Sequence, residues 1–239
     1  MNILYKLYAH TIALLLFVIV TIITAVVVIV ASLCGDRKTV CYYGPKIWSQ
    51  LTLWFFLLPS SVEGKELIDK HQSYVFLANH QGYFDIFLTY ARLGHNFKWM
   101  MKEYLRKIPF VGLACARSGQ IYVGETRAGM ARTVKQAQAT LRGGMSMVIF
   151  PEGTRTEDGT LGPFQRGAFT LAGEIGLPIV PITINGSFKV FNRHAKSVSR
   201  GRLTLTIHRP ITAEERKGIP TKVLVQQVKD IIASDLKLD

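Results

Sequence analysis

Between Leu7 and Gly35 the chain carries no Asp, Glu, Lys or Arg, and from Ile12 to Val30 only Thr21 and Thr24 interrupt an apolar run. Such a stretch exceeds the roughly 20 residues that a helix needs to cross a bilayer. A cleaved signal peptide would carry an apolar region of only about 7–15 residues behind a basic start, whereas Lys6 is the sole positive side chain ahead of this one. The run therefore predicts a retained membrane helix over residues 7–33. After Asp36, Arg37, Lys38 and Lys46 a second uncharged stretch, Ile47 to Val62, centres on Leu51–Leu58 and stops at Pro59. It is short for a span, and Trp48 and Trp54 favour the interface, so it is expected to lie in the headgroup region or to re-enter as half of a hairpin, with a buried helix of the domain core as the alternative. Residues 1–62 are thus expected to form a membrane anchor and residues 63–239 one domain.

Charge narrows what that domain meets. The chain has 29 Lys and Arg against 16 Asp and Glu, and because only four of the former and one of the latter precede Glu63, the domain alone carries +10. A basic surface behind an apolar anchor suits anionic lipid headgroups and a phosphorylated substrate; no motif for nucleic acid is present. Cys34, Cys41 and Cys115 are odd in number and show neither disulfide nor metal spacing, and the six histidines do not cluster as ligands would, so neither a metal nor a cofactor is implied.

Short apolar runs alternate with helical patterns. Strands are expected at 74–78, 97–102, 120–123, 145–149, 179–184 and 203–208, and helices after Gly82, over 127–142, from 164 to about 175, and over 221–238. The basic stretch holding Lys189, Arg193, Lys196, Arg200 and Arg202 is expected to be a loop facing lipid headgroups. This alternation predicts an α/β domain with a mostly parallel central sheet flanked by helices.

Two stretches carry chemistry, each directly after a strand. In Asn79-His80-Gln81-Gly82-Tyr83-Phe84-Asp85, His80 leaves the strand's carboxyl end and Asp85 falls about one turn into the helix, putting an imidazole and a carboxylate within reach of each other as a general base and its holder. In Phe150-Pro151-Glu152-Gly153-Thr154-Arg155, the Arg155 guanidinium offers a planar fork suited to a phosphate, and Glu152 is placed to bond a substrate hydroxyl or brace Arg155. Arg166, at the start of the next helix, adds charge where backbone N–H groups are unpaired, a local anion site.

Both stretches resemble the Asn-His-x-x-x-x-Asp and Phe-Pro-Glu-Gly-Thr-Arg blocks of the glycerolipid acyltransferases. Gly119-Gln120-Ile121-Tyr122-Val123 is similar to the family's second block and Val180-Pro181-Ile182 to its fourth. One departure stands out: the second block usually ends in Arg two residues after its apolar triplet, whereas here Gly124-Glu125 follow and the next arginine is Arg127. The resemblance covers roughly residues 60–210 and leaves the first sixty as a membrane appendage. It implies the glycerol-3-phosphate acyltransferase-like fold, His80 and Asp85 as catalytic residues, and Asn79, Lys102, Glu152, Gly153, Thr154, Arg155 and Arg166 as substrate-binding residues, with Lys102 falling on the first Lys of a Lys-Lys-Glu-Leu stretch. It implies acyl transfer from a thioester, carried by coenzyme A or acyl carrier protein, to lysophosphatidic acid. Other acceptors, glycerol 3-phosphate or another lyso-lipid, remain open, as does a binding protein without turnover. The expected location is a cell inner membrane, with the domain on the cytoplasmic side.

Overall fold

The computed structural model describes residues 3–35, 39–124, 126–142 and 144–238, without the side chains of Arg127, Ala128, Met130 and Arg142. The charged patch at 36–38, Glu125 and the Arg127 guanidinium therefore lie outside the described residues, and so does the question of whether Arg127 replaces the second block's arginine.

Seven strands make one sheet: β1 (Ser60–Glu63), β2 (Val75–Ala78), β3 (Phe97–Lys102), β4 (Ile121–Val123), β5 (Ser146–Ile149), β6 (Ile179–Asn185) and β7 (Leu203–Ile207), in the order β1-β7-β6-β2-β5-β3-β4. From β6 to β4 neighbouring strands are parallel; β7 runs antiparallel to β6 and takes β1 with it. The helices are α1 (Ile3–Tyr8), α2 (Leu14–Leu33), α3 (Val40–Phe55), α4 (Phe84–Arg92), α5 (Val111–Arg117), α6 (Arg127–Arg142), α7 (Arg166–Ile175), α8 (Ser187–Phe191) and α9 (Thr221–Ser234). The mostly parallel α/β architecture is as the sequence predicts.

A parallel strand covered on both faces is apolar at every position. In β2, Phe76 and Ala78 join the cluster that holds α4's Phe84 and Leu88, while Val75 and Leu77 join the opposite cluster with residues of α6, α7 and α9. The chain moves outward from β2 to β3 and β4, returns to β5 on β2's near side, then crosses to β6 on its far side. Where strand order reverses, the loops leaving the carboxyl ends diverge and open a crevice. Register puts Leu77 beside Ile149 on one flank and Pro181 on the other, so the loops after β2, β5 and β6 emerge together.

The first apolar segment forms the expected helix, long and apolar enough to cross a membrane, but its packing and the course of the second segment differ from expectation. α1 and α2 join through a π-helical turn, Ala9–Ala13, into one helix from Ile3 to Leu33. It lies against the domain rather than apart from it. Tyr5, Ala9 and Ala13 belong to the main core, the Tyr5 and Tyr8 hydroxyls donate to the Phe56 and Phe55 carbonyls at 2.8 Å each, and at the far end Ala25 and Val28 pack on Cys41 and Ala114. The second segment is a helix only from Val40 to Phe55. Trp48 binds it to both neighbours, donating Nε1–H to the Thr21 hydroxyl at 2.8 Å and packing on Phe87 of α4 at 4.7 Å. Leu57, forced to φ +52°, and Pro59 end the helix. Ser60–Glu63 then becomes the edge strand, so residues 60–62, assigned to the anchor from sequence, belong to the sheet. Nothing in Ser-Ser-Val-Glu announces a strand; pairing with β7 makes it one.

Smaller differences have local causes. Lys189 sits in the short helix α8 rather than in a loop, and α9 ends at Ser234. Beyond it the tail folds back: the Asn185 amide donates to Asp235 O at 2.9 Å and accepts Lys237 N–H at 2.8 Å.

Candidate active site

The crevice is built around Asp85. It is fully buried, and one oxygen, Oδ2, accepts three hydrogen bonds: the N–H groups of Gln81 and Gly82 at 2.7 and 2.9 Å and His80 Nδ1 at 2.7 Å. A carboxylate that already accepts from two amides requires Nδ1 to be the donor, so the lone pair of the imidazole sits on Nε2. The His80 ring is 16% exposed and lies face to face on Phe150, centroids 4.0 Å apart and planes within 5°, with Trp99 stacked beyond at 5.1 Å. Held at Nδ1 and across its face, the ring keeps its Nε2 edge for an incoming group.

The loop that carries His80 has little freedom. The His80 N–H donates to Glu152 Oε1 at 2.8 Å, and the His80 carbonyl accepts Thr156 N–H at 2.9 Å. The other oxygen of Glu152 accepts Gly162 N–H at 2.8 Å. Glu152 is buried, and desolvation raises its carboxyl above the usual range, with the two backbone N–H groups opposing that shift. Sequence placed Glu152 on a substrate hydroxyl or beside Arg155. The structure instead gives both its oxygens to backbone, where they tie the His80 loop to the loop after β5. Asn79 is likewise taken up by the fold, its amide exchanging bonds of 2.9 and 2.7 Å with Ile184 O and N–H, a clamp between the end of β2 and β6. Gly82 has no room for a side chain, since a Cβ there would lie 2.5 Å from Ser187 O.

The Arg155 side is looser. Gly153 turns the chain at φ +72°, where a side chain would be strained. Gly153 and Thr154 are exposed and Arg155 half-buried. The Arg155 guanidinium lies over the ring of Tyr83 at 3.6 Å, and Tyr83 packs on Phe191 of α8 at 5.0 Å. Farther out, Glu157 pairs with Arg193 and with His194, the latter at 2.7 Å, pinning the basic loop to this one. Lys102 is exposed at the carboxyl end of β3 on the same rim. Arg166 opens α7, on the opposite sheet face from α4; Gln165 N–H, bonded to Pro151 O at 2.7 Å, brings that helix start beside the loop. Arg166 is exposed, and no described contact joins it to His80 or Arg155.

The arrangement is a base with a fixed tautomer, one cation nearby and a rim of further cations. A family model described as Acyltransferase matches residues 60–185. The chain belongs to that acyltransferase family. A chloroplastic 1-acyl-sn-glycerol-3-phosphate acyltransferase of Brassica napus is 29% identical over 234 residues, 93% of this chain and 66% of that one. Its counterpart in Arabidopsis thaliana is 30% identical over 234 residues, with 93% and 64% covered. The alpha form from Ovis aries is 31% identical over 170 residues, 70% of this chain and 59% of that one. The chain thus spans about two thirds or less of the length of these relatives. The crystal structure of the 1-acyl-sn-glycerophosphate (LPA) acyltransferase from Thermotoga maritima matches with a TM-score of 0.80 at 25% identity, covering 98% of this chain and 94% of that one. For this acyltransferase, similarity therefore extends well beyond residues 60–210 and into the helices that the sequence set aside as an appendage.

The sequence placed His80 and Asp85 within reach of each other, and the structure has them 2.7 Å apart. Sequence assigned no part to Phe150, Tyr83 or Trp99, although Phe150 and Tyr83 stand inside the motifs; an aromatic within the same motif as His80 or Arg155 was the available signal.

Proposed function

We propose that this acyltransferase moves a fatty acyl group from an acyl thioester to the free hydroxyl of 1-acyl-sn-glycerol 3-phosphate, giving phosphatidic acid for phospholipid synthesis. The observation that carries the proposal is the His80–Asp85 pair, with no hydrogen bond to Nε2 among the described residues, one loop away from Arg155 on its aromatic platform. The acceptor hydroxyl gives its proton to Nε2 as its oxygen attacks the thioester carbonyl; Asp85 stabilises the imidazolium that forms. The tetrahedral adduct then expels the thiolate, which takes the proton back from His80. The N–H groups of His80, Gln81 and Gly82 are spent on Glu152 and Asp85, so the oxyanion falls to donors of the 150–155 loop. Arg155 binds the acceptor's phosphate, which sits close to its reacting hydroxyl.

The lipid nature of the acceptor is supported by the anchor. Leu15, Ile19, Ile22, Ile23, Val26 and Val30 are all exposed along one helix whose other side is fastened to the domain at both ends. We propose that this stripe enters the bilayer of a cell inner membrane from the cytoplasmic side, where thioester donors and anionic lipid are found. Membranes containing the protein, supplied with lysophosphatidic acid and either acyl-CoA or acyl carrier protein thioester, are expected to yield phosphatidic acid with at least one donor. Failure with both would contradict the proposal.

A further inference from the structure

We propose that Phe150 is a positioning residue for the proton transfer: its ring fixes the plane of the His80 imidazole and favours the imidazolium that forms when His80 takes the acceptor's proton, an inference that rests on the acyl-transfer reading above. Phe150 is the first residue after β5, and β5 pairs with β2 in a register that sets Ile149 beside Leu77, so the residues leaving the two strands meet at the crevice. The His80 and Phe150 rings lie 4.0 Å apart between centroids and within 5° of parallel. Phe150 has little room to tilt away. Trp99 of β3 stacks on it at 5.1 Å, and Trp99 is itself held, its backbone N–H donating to Gln120 Oε1 at 2.7 Å.

Covering one face of His80 acts in two opposite ways. It removes water, which disfavours a charged ring. It also sets the negative face of a benzene ring well within the roughly 6 Å over which such a face attracts a cation, which favours the imidazolium. Any apolar side chain of similar size keeps the face dry, whereas only an aromatic one supplies the attraction, so Phe150→Leu separates the two effects. The ionisable groups that bear on His80 from packed elements are, among the described residues, Asp85 of α4, bonded to Nδ1, and Glu152 of the loop after β5, which accepts the His80 N–H. No described hydrogen bond or ion pair joins the rim cations Lys102 and Arg155 to the imidazole. Asp85 and Glu152 both remain in Phe150→Leu, so a changed titration reports the ring face.

Full-length protein carrying Phe150→Leu tests the assignment, with Phe150→Tyr as the variant that keeps the ring face. For Phe150→Leu, kcat at pH 7 is expected to fall by about threefold to thirtyfold while the KM for each substrate stays within about twofold. Loss of the ring face disfavours the imidazolium, so the His80 titration midpoint should fall by about half a pH unit to one pH unit, and the acidic limb of kcat against pH should move to lower pH with it. Phe150→Tyr should restore both. The midpoint is read directly by nuclear magnetic resonance on histidine-labelled protein, with the His80 signal identified by its loss in His80→Ala. A wild-type kcat in Phe150→Leu, or a lowered kcat with the midpoint unmoved or raised, would overturn the proposal and leave Phe150 as packing. A raised donor KM at unchanged kcat would overturn it too, making Phe150 a contact for the donor. Should Phe150→Leu fail to fold, Phe150→Met, equally apolar and without a ring, reads the same quantities. Because the titration needs no turnover, it judges the stack even for a wild-type protein that transfers nothing to lysophosphatidic acid, which separates failure of the stack from failure of the acyl-transfer reading.

Discussion

The two halves of the crevice are held by different physics. Around His80 the restraints are short hydrogen bonds to buried side chains: three bonds converge on one Asp85 oxygen, Glu152 ties two loops, and Asn79 locks the end of β2 to β6. Around Arg155 the restraints are a ring face and exposed ion pairs at Glu157. A proton transfer fails when the base is misplaced by a fraction of a bond length, whereas a phosphate clamp tolerates movement because charge acts over distance. On the proposed reaction, rigidity is concentrated where the bond would change and relaxed where the headgroup would enter and leave.

That contrast can be broken at graded points. His80→Ala removes a base and no packing contact other than the Phe150 stack, so activity should fall by about 10²–10⁴-fold with little loss of thermal stability. Asp85→Asn should lose a comparable share of activity and also destabilise, because a neutral amide accepts the Gln81 and Gly82 N–H groups less strongly and can present a donor to them. Activity and circular dichroism melts on the same preparations separate the two. An Asp85→Asn protein with wild-type stability would show that the carboxylate is not the loop's anchor.

Glu152→Gln probes the same region more gently. Burial raises the Glu152 pKa, so the folded state holds its proton to higher pH than the unfolded state does. A raised group contributes stability that is present below its unfolded value of about 4.5 and is lost as pH rises through the folded value. The stability gap between wild type and Glu152→Gln should therefore shift against the wild type as pH rises from about 4 to 7, as melting at both ends would reveal. A pH-independent gap would contradict the buried, desolvated carboxylate.

On the soft side, Arg155→Lys keeps the charge but loses the planar fork, and should raise the KM for lysophosphatidic acid by about tenfold with a smaller change for the donor. Glu157→Gln should be milder still, since exposed ion pairs contribute about 0.2–1 kcal/mol. Equal effects on both substrates in Arg155→Lys would erase the distinction between the halves.

The sequence made much of this legible. The β2 and β5 strands, the loops after them and the His80–Asp85 pair follow from apolar runs of strand length ending in motifs. Less legible were features that depend on partners distant in the chain. Ser60–Glu63 is a strand only because β7 lies beside it, and Asn79 spends its amide on Ile184, a residue 105 positions away. The first helix looked separable because its composition suits lipid, yet Tyr5, Ala9 and Ala13 sit in the domain's core. Composition tells which solvent a helix tolerates on its outer face, not what its inner face touches.

The central claim is that His80, held by Asp85, activates the hydroxyl of a phosphorylated lyso-lipid. The most direct measurement is acyl transfer by purified, reconstituted wild-type and His80→Ala proteins to lysophosphatidic acid and, in parallel, to monoacylglycerol, which lacks the phosphate. The account predicts phosphatidic acid from the wild type, little product from monoacylglycerol, and loss of transfer in His80→Ala. Wild-type turnover by a correctly folded His80→Ala protein, or equal use of the two acceptors by the wild type, would contradict it.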